Sequence, residues 1–298
     1  MDQVPGSPQQ PQGAPGLPGC YRHPDRETGV TCTRCERPIC PECMISASVG
    51  FQCPNCVREG SGTGHAASAN QPRNLAGGVV VADTRLVTKI LVILNLAVFL
   101  AIQVGGDRVV DALVLVGRAW DPALGEVIGV AEGEWYRLFT SMFAQQDLTH
   151  IAGNMLLLWL LGTHLEETLG RARYLALYLI SGLAGDAMTY FLVAPNQPSL
   201  GASGAVFGLL GATVVLLRRQ RQNLVPIAVL AVFLLIVPLY RSDIAWQAHV
   251  GGLIAGAIVA YGMLHAPRSH RALVQWGTCA VVLLMTVAVL LIRTSELT

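Results

Sequence analysis

Charged residues are scarce in this sequence, in which Asp, Glu, Lys and Arg together make up 13% of the 298 residues. Soluble domains usually carry about a quarter, so this low fraction excludes an ordinary soluble globular protein. The first 19 residues also lack the basic and apolar segments of a secretory signal peptide, and we expect none. Hydrophobic residues make up 52%, with a mean hydropathy of +0.49, which indicates an integral membrane protein.

Cysteine is nearly absent outside one short segment. Seven of the eight cysteines lie between Cys20 and Cys56, whereas Cys279 lies in the last apolar run and is expected to be a packed apolar side chain. Metal ligands in the segment come in four pairs, which are Cys20-x2-His23, Cys32-x2-Cys35, Cys40-x2-Cys43 and Cys53-x2-Cys56. Each pair can reach one tetrahedral Zn²⁺ from a tight turn. Seven cysteines with one histidine fit metal better than disulfides, so the pattern predicts two structural zinc ions.

The spacing alone does not decide how these ligands group. The gaps resemble a B-box or RING-like cross-brace, in which the first and third pairs share one metal and the second and fourth share the other. That would group Cys20, His23, Cys40 and Cys43 at one site, and Cys32, Cys35, Cys53 and Cys56 at the other. A sequential arrangement stays open. Such closed sites do not predict a catalytic zinc, and because the segment is too short for a core, zinc should supply its folding free energy.

Apolar runs with short polar breaks fill the rest of the chain, roughly at 86–104, 149–166, 173–193, 201–217, 224–240, 247–265 and 272–292. Each reaches or approaches the roughly 20 residues that a helix needs to cross the hydrocarbon. We therefore expect an all-α polytopic membrane protein with four regions. These are a disordered tail at 1–19, the zinc-binding module at 20–57, a flexible linker at 58–84 and a membrane domain of seven transmembrane helices at 85–293.

Basic residues lie on alternate sides of these runs. They open the first run and fill the loops after the second, fourth and sixth, as Arg85, Lys89, Arg171, Arg173, Arg218, Arg219, Arg221, Arg268 and Arg271. The loops in between are poorer in basic residues, and loop 105–148 carries three arginines against seven acids. The positive-inside rule therefore predicts a cytoplasmic N-terminus and an extracytoplasmic C-terminus in the plasma membrane. Reduced, zinc-binding cysteines in the cytoplasm agree with this orientation.

Three polar residues lie at the heads of the second, fourth and sixth runs, which all enter from the predicted outer face. They are His150, Ser203 and His249. G-x3-G pairs at 204–208 and 252–256 favour close packing of the fourth and sixth helices. A serine hydroxyl beside a neutral imidazole can act as a nucleophile with its general base. Asp243, the nearest acid, lies six residues before His249, so we expect a Ser–His dyad without a third member.

An oxyanion hole should accompany this dyad. Asn154 lies four residues after His150, which places both side chains on one helix face. Together with the backbone N–H of Ser203 they can donate to a developing oxyanion. Another polar residue, Asp186, lies deep in the third run. It could line a water cavity, but we favour a hydrogen bond to a neighbouring helix.

These residues resemble the rhomboid family of intramembrane serine proteases over residues 86–292. The G-x-S-G at 201–204, the H-x2-G-x3-G at 249–256 and the His150-x3-Asn154 pair carry the resemblance. Phe207 matches an aromatic that packs on the catalytic histidine, and further similarities lie at Trp135-x-Arg137 and Glu166-x3-Gly170-x2-Arg173. Gln145 stands where many members have histidine, and we expect a structural role for it.

The resemblance implies a six-helix rhomboid core plus a seventh C-terminal helix, with the zinc module as an appendage. It implies an endopeptidase that cleaves single-span membrane proteins in the lipid bilayer near the extracytoplasmic face, through a polar cavity capped by a mobile loop near 241–247. A cytoplasmic protein is expected to bind the zinc module, and no nucleic acid is expected. Two alternatives stay open, namely a non-proteolytic relative that binds and escorts membrane proteins, and a zinc adaptor on a membrane anchor.

Overall fold

The chain divides into two compact units, Met1–Pro72 and Arg73–Thr298. A computed structural model describes residues 17–59, 73–78, 81, 83–236 and 245–298. Most of the predicted tail and much of the predicted linker lie outside these residues. Residues 73–78 of that linker pack within the second unit, where Ala76 is buried.

The N-terminal unit has little regular structure in its described part. A 3-10 turn at Pro41–Cys43 precedes β1 (Ile45–Ser46), β2 (Phe51–Gln52) and α1 (Pro54–Arg58), and β1 pairs antiparallel with β2. Its buried apolar residues are six cysteines and Ile39. A core made almost entirely of metal-ligand side chains cannot bury enough apolar area to fold this segment by itself.

The second unit is mostly helical, which confirms the predicted fold class. Its helices are α2 (Leu86–Gly105), α3 (Asp107–Leu113), α4 (Arg137–Thr140), α5 (Leu148–Leu169), α6 (Arg171–Leu192), α7 (Ser203–Arg219), α8 (Val225–Ile236), α9 (Trp246–His265) and α10 (Arg271–Leu297). Among the described residues, five helices are long and apolar enough to cross a membrane, namely α2, α5, α6, α9 and α10 with its preceding turn.

Two of the seven predicted spans, those of α7 and α8, are not among these five in the described part of the chain. Helix α8 has 12 residues up to Ile236, and the rest of the predicted run lies outside the described residues. Helix α7 has 17 residues, and every residue from Gly204 to Thr213 is buried. Because α7 is surrounded by protein rather than lipid, the thickness of the hydrocarbon does not dictate its length.

The segment between α2 and α5 is held together by a buried arginine. It contains α3, α4 and an antiparallel hairpin of β3 (Ala119–Asp121) and β4 (Glu126–Ile128). Arg137 is buried, donates to Glu134 Oε2 at 2.7 Å and reaches the carbonyls of Asp111 and Val114. Burial would raise the pKa of Glu134, but the donors Arg137 and Gly129 N–H outweigh it and hold that pKa below its ordinary value. The ion pair therefore stabilises the segment at neutral pH and is lost as pH falls through that lowered pKa.

Glu166 joins two helices at the opposite end of α5. Its carboxylate accepts hydrogen bonds from the N–H groups of Val87 and Thr88 at 2.9 and 2.8 Å, and from the Thr88 hydroxyl at 2.8 Å. The first N–H groups of α2 have no partner within the helix, and a carboxylate there also complements the helix dipole. Glu166, which the sequence singled out by its similarity to a rhomboid motif, thus caps α2.

The backbones of α7 and α9 touch at glycines, as the two G-x3-G pairs predicted. A Cβ on Gly252 would collide with the carbonyl oxygen of Gly204, and a Cβ on Gly256 would collide with the carbonyl oxygen of Gly208. Helix α6 packs against both, with Gly185 close to the carbonyl of Ala248 and to Gly204. Three helices therefore meet at a spacing that side chains on these faces would prevent.

We expect Gly252→Ala to destabilise the protein by about 1–3 kcal/mol, because its methyl group must push two backbones apart. The measurement is the thermal unfolding midpoint in detergent. Gly153→Ala is the matched control, since it also lies in a transmembrane helix but its Cβ would meet nothing within 4 Å. Equal midpoints for the two variants would contradict close α7–α9 packing.

Candidate functional site

Ser203 is the first residue of α7 and follows a turn that only glycine fits. Gly201 has φ +136°, a value that side chains rarely adopt. Its N–H donates to the carbonyl of Ser141 at 2.9 Å. A Cβ at Gly201 would lie 3.0 Å from His150 Cε1, 3.5 Å from His150 Nε2 and 3.6 Å from Ser203 Oγ. The serine hydroxyl and the His150 imidazole therefore both lie close to the space that a side chain at Gly201 would occupy.

His150 lies in the first turn of α5, which is capped by Asp147. The Asp147 carboxylate accepts from the His150 N–H at 2.9 Å and from the Thr149 hydroxyl. These donors, Thr149 first, lower the pKa of Asp147, so the cap stays charged at neutral pH. The cap fixes where α5 begins and hence where the His150 ring can lie.

His249 lies in the first turn of α9 and is 4% exposed. Its ring stacks on Phe207, with centroids 4.1 Å apart and an angle of 5° between the planes. Within the described part of the chain neither ring nitrogen has a hydrogen-bond partner. The structure therefore brings the helices of Ser203 and His249 into contact without a hydrogen bond between the two side chains. A buried polar group without a partner is rare in folded proteins. The ring nitrogens of this imidazole are therefore free to accept or donate a proton.

Asn154 is positioned by a row of buried amides. Its Nδ2 donates to Gln145 Oε1 at 2.7 Å, Gln145 Nε2 donates to Asn95 Oδ1 at 3.0 Å, and Asn95 Nδ2 donates to the Leu91 carbonyl at 2.8 Å. Gln145 is fully buried. It therefore ties α5 to α2 and orients Asn154 one turn below His150.

A cavity of about 790 Å³ opens beside these residues. Ser203, His150 and Ala248 line it, as do four carboxylates, those of Asp107, Asp111, Asp147 and Asp186. A space of this size with polar walls can hold water and an extended peptide segment. His249 and Asn154 do not line it directly.

Asp186 satisfies both interpretations that the sequence allowed. It lines the cavity, and its Oδ2 accepts from the Ser141 hydroxyl at 2.9 Å. Ser141 is the residue whose carbonyl holds Gly201. Ser141 could not be predicted from the sequence, because an isolated serine carries no distinguishing pattern. Asp243 and residues 241–244 of the predicted loop lie outside the described residues.

The N-terminal ligands group as the cross-brace predicts. Cys20, His23, Cys40 and Cys43 form one cluster, and Cys32, Cys35, Cys53 and Cys56 form the other, with ligand atoms within 4.8 Å of one another. Tetrahedral zinc with Zn–S bonds of about 2.3 Å places sulfur atoms about 3.8 Å apart. The Sγ atoms of Cys35 and Cys53 lie 3.8 Å apart, and His23 Nδ1 lies 3.3 to 4.0 Å from the sulfurs of its cluster. Both clusters can hold a metal ion, and their sizes fit zinc.

The pKa values of the thiols in these clusters favour the binding of a cation. Burial raises the pKa of Cys20, but N–H donors from Cys40, Arg22 and His23 outweigh it and lower the pKa to about 6. Burial and then the neighbouring thiolates of Cys20 and Cys40 raise the pKa of Cys43 to about 11. A divalent metal removes this repulsion, because it stabilises every thiolate at once.

A protein-family model described as the Rhomboid domain matches residues 132–266. The chain is 35% identical to the rhomboid protease GluP of Bacillus subtilis over 179 residues, which cover 58% of this chain and 34% of GluP. It is 34% identical to YdcA of the same organism, a protein described provisionally as a rhomboid protease, over 146 residues that cover 47% of this chain and 73% of YdcA. The rhomboid protease AarA of Providencia stuartii is 28% identical over 168 residues, with 47% of this chain and 59% of AarA covered. The chain thus spans about a third of the length of GluP.

We expect two equivalents of zinc per purified chain, because each of the two clusters supplies four ligands. Cys32→Ser should lower the content to about one, since only one cluster loses a ligand. Elemental analysis by mass spectrometry after dialysis measures both values. Cys279→Ser is the control and should keep two, because Cys279 belongs to neither cluster. A metal-free wild type, or full content in Cys32→Ser, would contradict the two-site arrangement.

Proposed function

Because this chain belongs to the rhomboid family, we propose that it is a serine endopeptidase that cleaves transmembrane segments of single-span membrane proteins near the extracytoplasmic face. The observation that carries the proposal is the meeting of three helix starts. Ser203 begins α7, His249 stacks on Phe207 one turn further along α7, and His150 faces Ser203 across Gly201. Serine, base and oxyanion donors then lie at one end of the helices.

In this mechanism Ser203 Oγ attacks the scissile carbonyl while His249 takes its proton. The unpartnered ring nitrogens of His249 leave it free to do so, once a small movement closes its hydrogen bond to Ser203. Catalytic hydrogen bonds are often open until substrate binds. The protonated imidazole then gives its proton to the leaving amine, and water hydrolyses the acyl-enzyme after losing a proton to the same base.

The oxyanion of each tetrahedral intermediate needs donors that are already in place. We assign this role to the Ser203 backbone N–H, the His150 ring and the Asn154 amide. Asn154 Nδ2 has two hydrogens and gives one to Gln145, so the second remains for the oxyanion. The carboxylate-lined cavity would supply the hydrolytic water.

The distribution of basic loops supports a plasma-membrane orientation with the N-terminus in the cytoplasm. The cavity would then open to the extracytoplasmic side, and the N-terminal module with two zinc ions would bind a cytoplasmic protein. A reagent that labels only external cysteines tests the orientation. A cysteine at residue 298 should react in intact cells and one at residue 60 should not.

A second candidate is a non-proteolytic member of the family that binds and escorts membrane proteins. The open arrangement of Ser203 and His249 favours it. The two candidates differ in whether Ser203 becomes nucleophilic, which a mechanism-based probe reports directly.

We expect a fluorophosphonate probe to label the wild type but neither Ser203→Ala nor His249→Ala, because the probe needs a deprotonated serine. Ser199→Ala is the control, since Ser199 lines the same cavity outside the dyad, and it should label normally. Labelling is measured by in-gel fluorescence of the full chain. Equal labelling of wild type and Ser203→Ala would refute the protease assignment and leave the escort function.

We expect Asn154→Ala to lower kcat by about 10²–10³-fold with little change in KM, because an oxyanion donor acts mainly in the transition state. The assay is cleavage of a reconstituted single-span substrate. Gln146→Ala is the control, because Gln146 lines the cavity but its side chain is outside the amide row. A change confined to KM would remove Asn154 from the oxyanion hole.

A further inference from the structure

Four arginines surround a second cavity, at the other end of the helices from Ser203. Arg73, Arg173, Arg268 and Arg271 line this cavity of about 870 Å³. Helix α9 separates it from the catalytic end, since His249 lies in its first turn and Arg268 follows its last residue by three. Helix α9 has 20 residues, and at 1.5 Å per residue it is about 30 Å long. The arginine cavity and the catalytic end are therefore separate sites.

The charge of this arginine cavity has no protein counter-charge among the described residues. No acidic residue lines the cavity, and none of the ion pairs formed in the described part of the chain uses these arginines. Arg173 Nε donates to the neutral Gln275 Oε1 at 2.7 Å, which fixes the guanidinium without neutralising it. Several guanidinium groups around one space form a strong anion site, because their field is focused by the surrounding protein.

Residues 73–78 build one wall of the cavity and hold the arginines in place. The Ala76 carbonyl accepts from Gln275 Nε2 at 3.0 Å, and its N–H donates to the Thr168 carbonyl at 3.3 Å. Gly77 has φ +87°, and the Arg271 guanidinium packs directly against its Cα. A Cβ on Gly78 would lie 3.1 Å from Arg173 Nη1. Adjacent glycines thus let two guanidinium groups approach the same stretch of backbone, so the site is formed before a ligand binds.

An apolar hollow of about 340 Å³ lies on the surface between α9 and α10, and Leu273 in its lining directly follows Ala272 in the lining of the arginine cavity. Ile258 of α9 and Val274 and Val281 of α10 line it. Arg271, Val274 and Val281 follow one another at helical spacing, so they share one face of α10. A charged cavity with an apolar hollow next to it on α10 matches an amphiphile, and a free phosphate ion would leave the hollow unused.

We propose that this site binds an anionic phospholipid, with its phosphate at Arg173, Arg268 and Arg271 and an acyl chain in the hollow between α9 and α10. Basic pockets at the ends of transmembrane helices suit lipid phosphates. Arginine can hold two phosphate oxygens at once, which lysine cannot. The lipid would join residues 73–78 to α6 and α10 and would supply the missing counter-charge.

The test is native mass spectrometry of the delipidated full chain, titrated with phosphatidylglycerol and with phosphatidylcholine of the same acyl chains. We expect tighter binding of phosphatidylglycerol. Each arginine near a lipid surface contributes about fivefold in affinity. The double variant Arg268→Gln with Arg271→Gln should therefore bind phosphatidylglycerol about 25-fold more weakly and bind phosphatidylcholine with unchanged affinity. Arg218→Gln with Arg219→Gln is the matched control, because that pair ends α7 and lies outside the cavity.

Equal affinity for the two lipids, or equal losses in the two double variants, would refute the site. A competition experiment with inorganic phosphate separates the lipid from the free ion. If millimolar phosphate displaces phosphatidylglycerol, the ligand is the free ion and the lipid assignment fails. Unchanged thermal midpoints and fluorophosphonate labelling show that the variants are folded. Arg268→Gln alone is the replacement if the double variant unfolds, because Arg268 is exposed and its side chain has no hydrogen bond among the described residues. This single variant should lose about fivefold in affinity for phosphatidylglycerol.

Discussion

The contact between the backbones of α7 and α9 is the interaction on which the site depends. Gly252 lies against the carbonyl of Gly204, and Gly256 against that of Gly208. In a bilayer no hydrophobic effect draws helices together, so their association relies on close van der Waals packing, which small residues permit. This contact puts Phe207 under the His249 ring. A wider spacing would leave the imidazole without its stacking partner and would move it away from the helix that begins at Ser203.

Some contacts in the site hold side chains in place, whereas other polar groups of the site have no hydrogen-bond partner. The His249 ring is held by stacking and burial, whereas its nitrogens are unpartnered. Ser203 follows a strained glycine turn, whose position depends on the Ser141 carbonyl and so, through the Ser141 hydroxyl, on Asp186. A ring that is held by stacking while its nitrogens stay unpartnered would suit the proposed dyad, whose hydrogen bond would close when substrate binds. The orienting contacts thus come from residues that take no part in bond making.

Sequence patterns could predict the parts of this structure that depend on local spacing. Apolar runs located the long helices, and the paired ligands of the N-terminal unit grouped as their cross-braced spacing suggested. The amide row escaped prediction as a row because Asn95 and Gln145 are 50 residues apart, and an isolated buried amide has no periodic signature. The run at 201–217 was predicted as a membrane span like the others, whereas α7 is enclosed by protein, because hydropathy does not distinguish a helix facing lipid from one enclosed by protein. Residues 73–78 read as linker because Gly77 and Gly78 are typical of loops, whereas they are small to admit Arg173 and Arg271.

The two cavities give the helix bundle opposite charges at its two ends. The carboxylates of Asp107, Asp111 and Asp147 line the cavity at Ser203, and arginines line the cavity at the far end of α9. If the arginine cavity binds an anionic lipid as proposed, lipid charge and loop charge would favour the same orientation in the membrane. The acidic cavity would then leave the proposed nucleophile Ser203 accessible to water and peptide rather than to lipid phosphate.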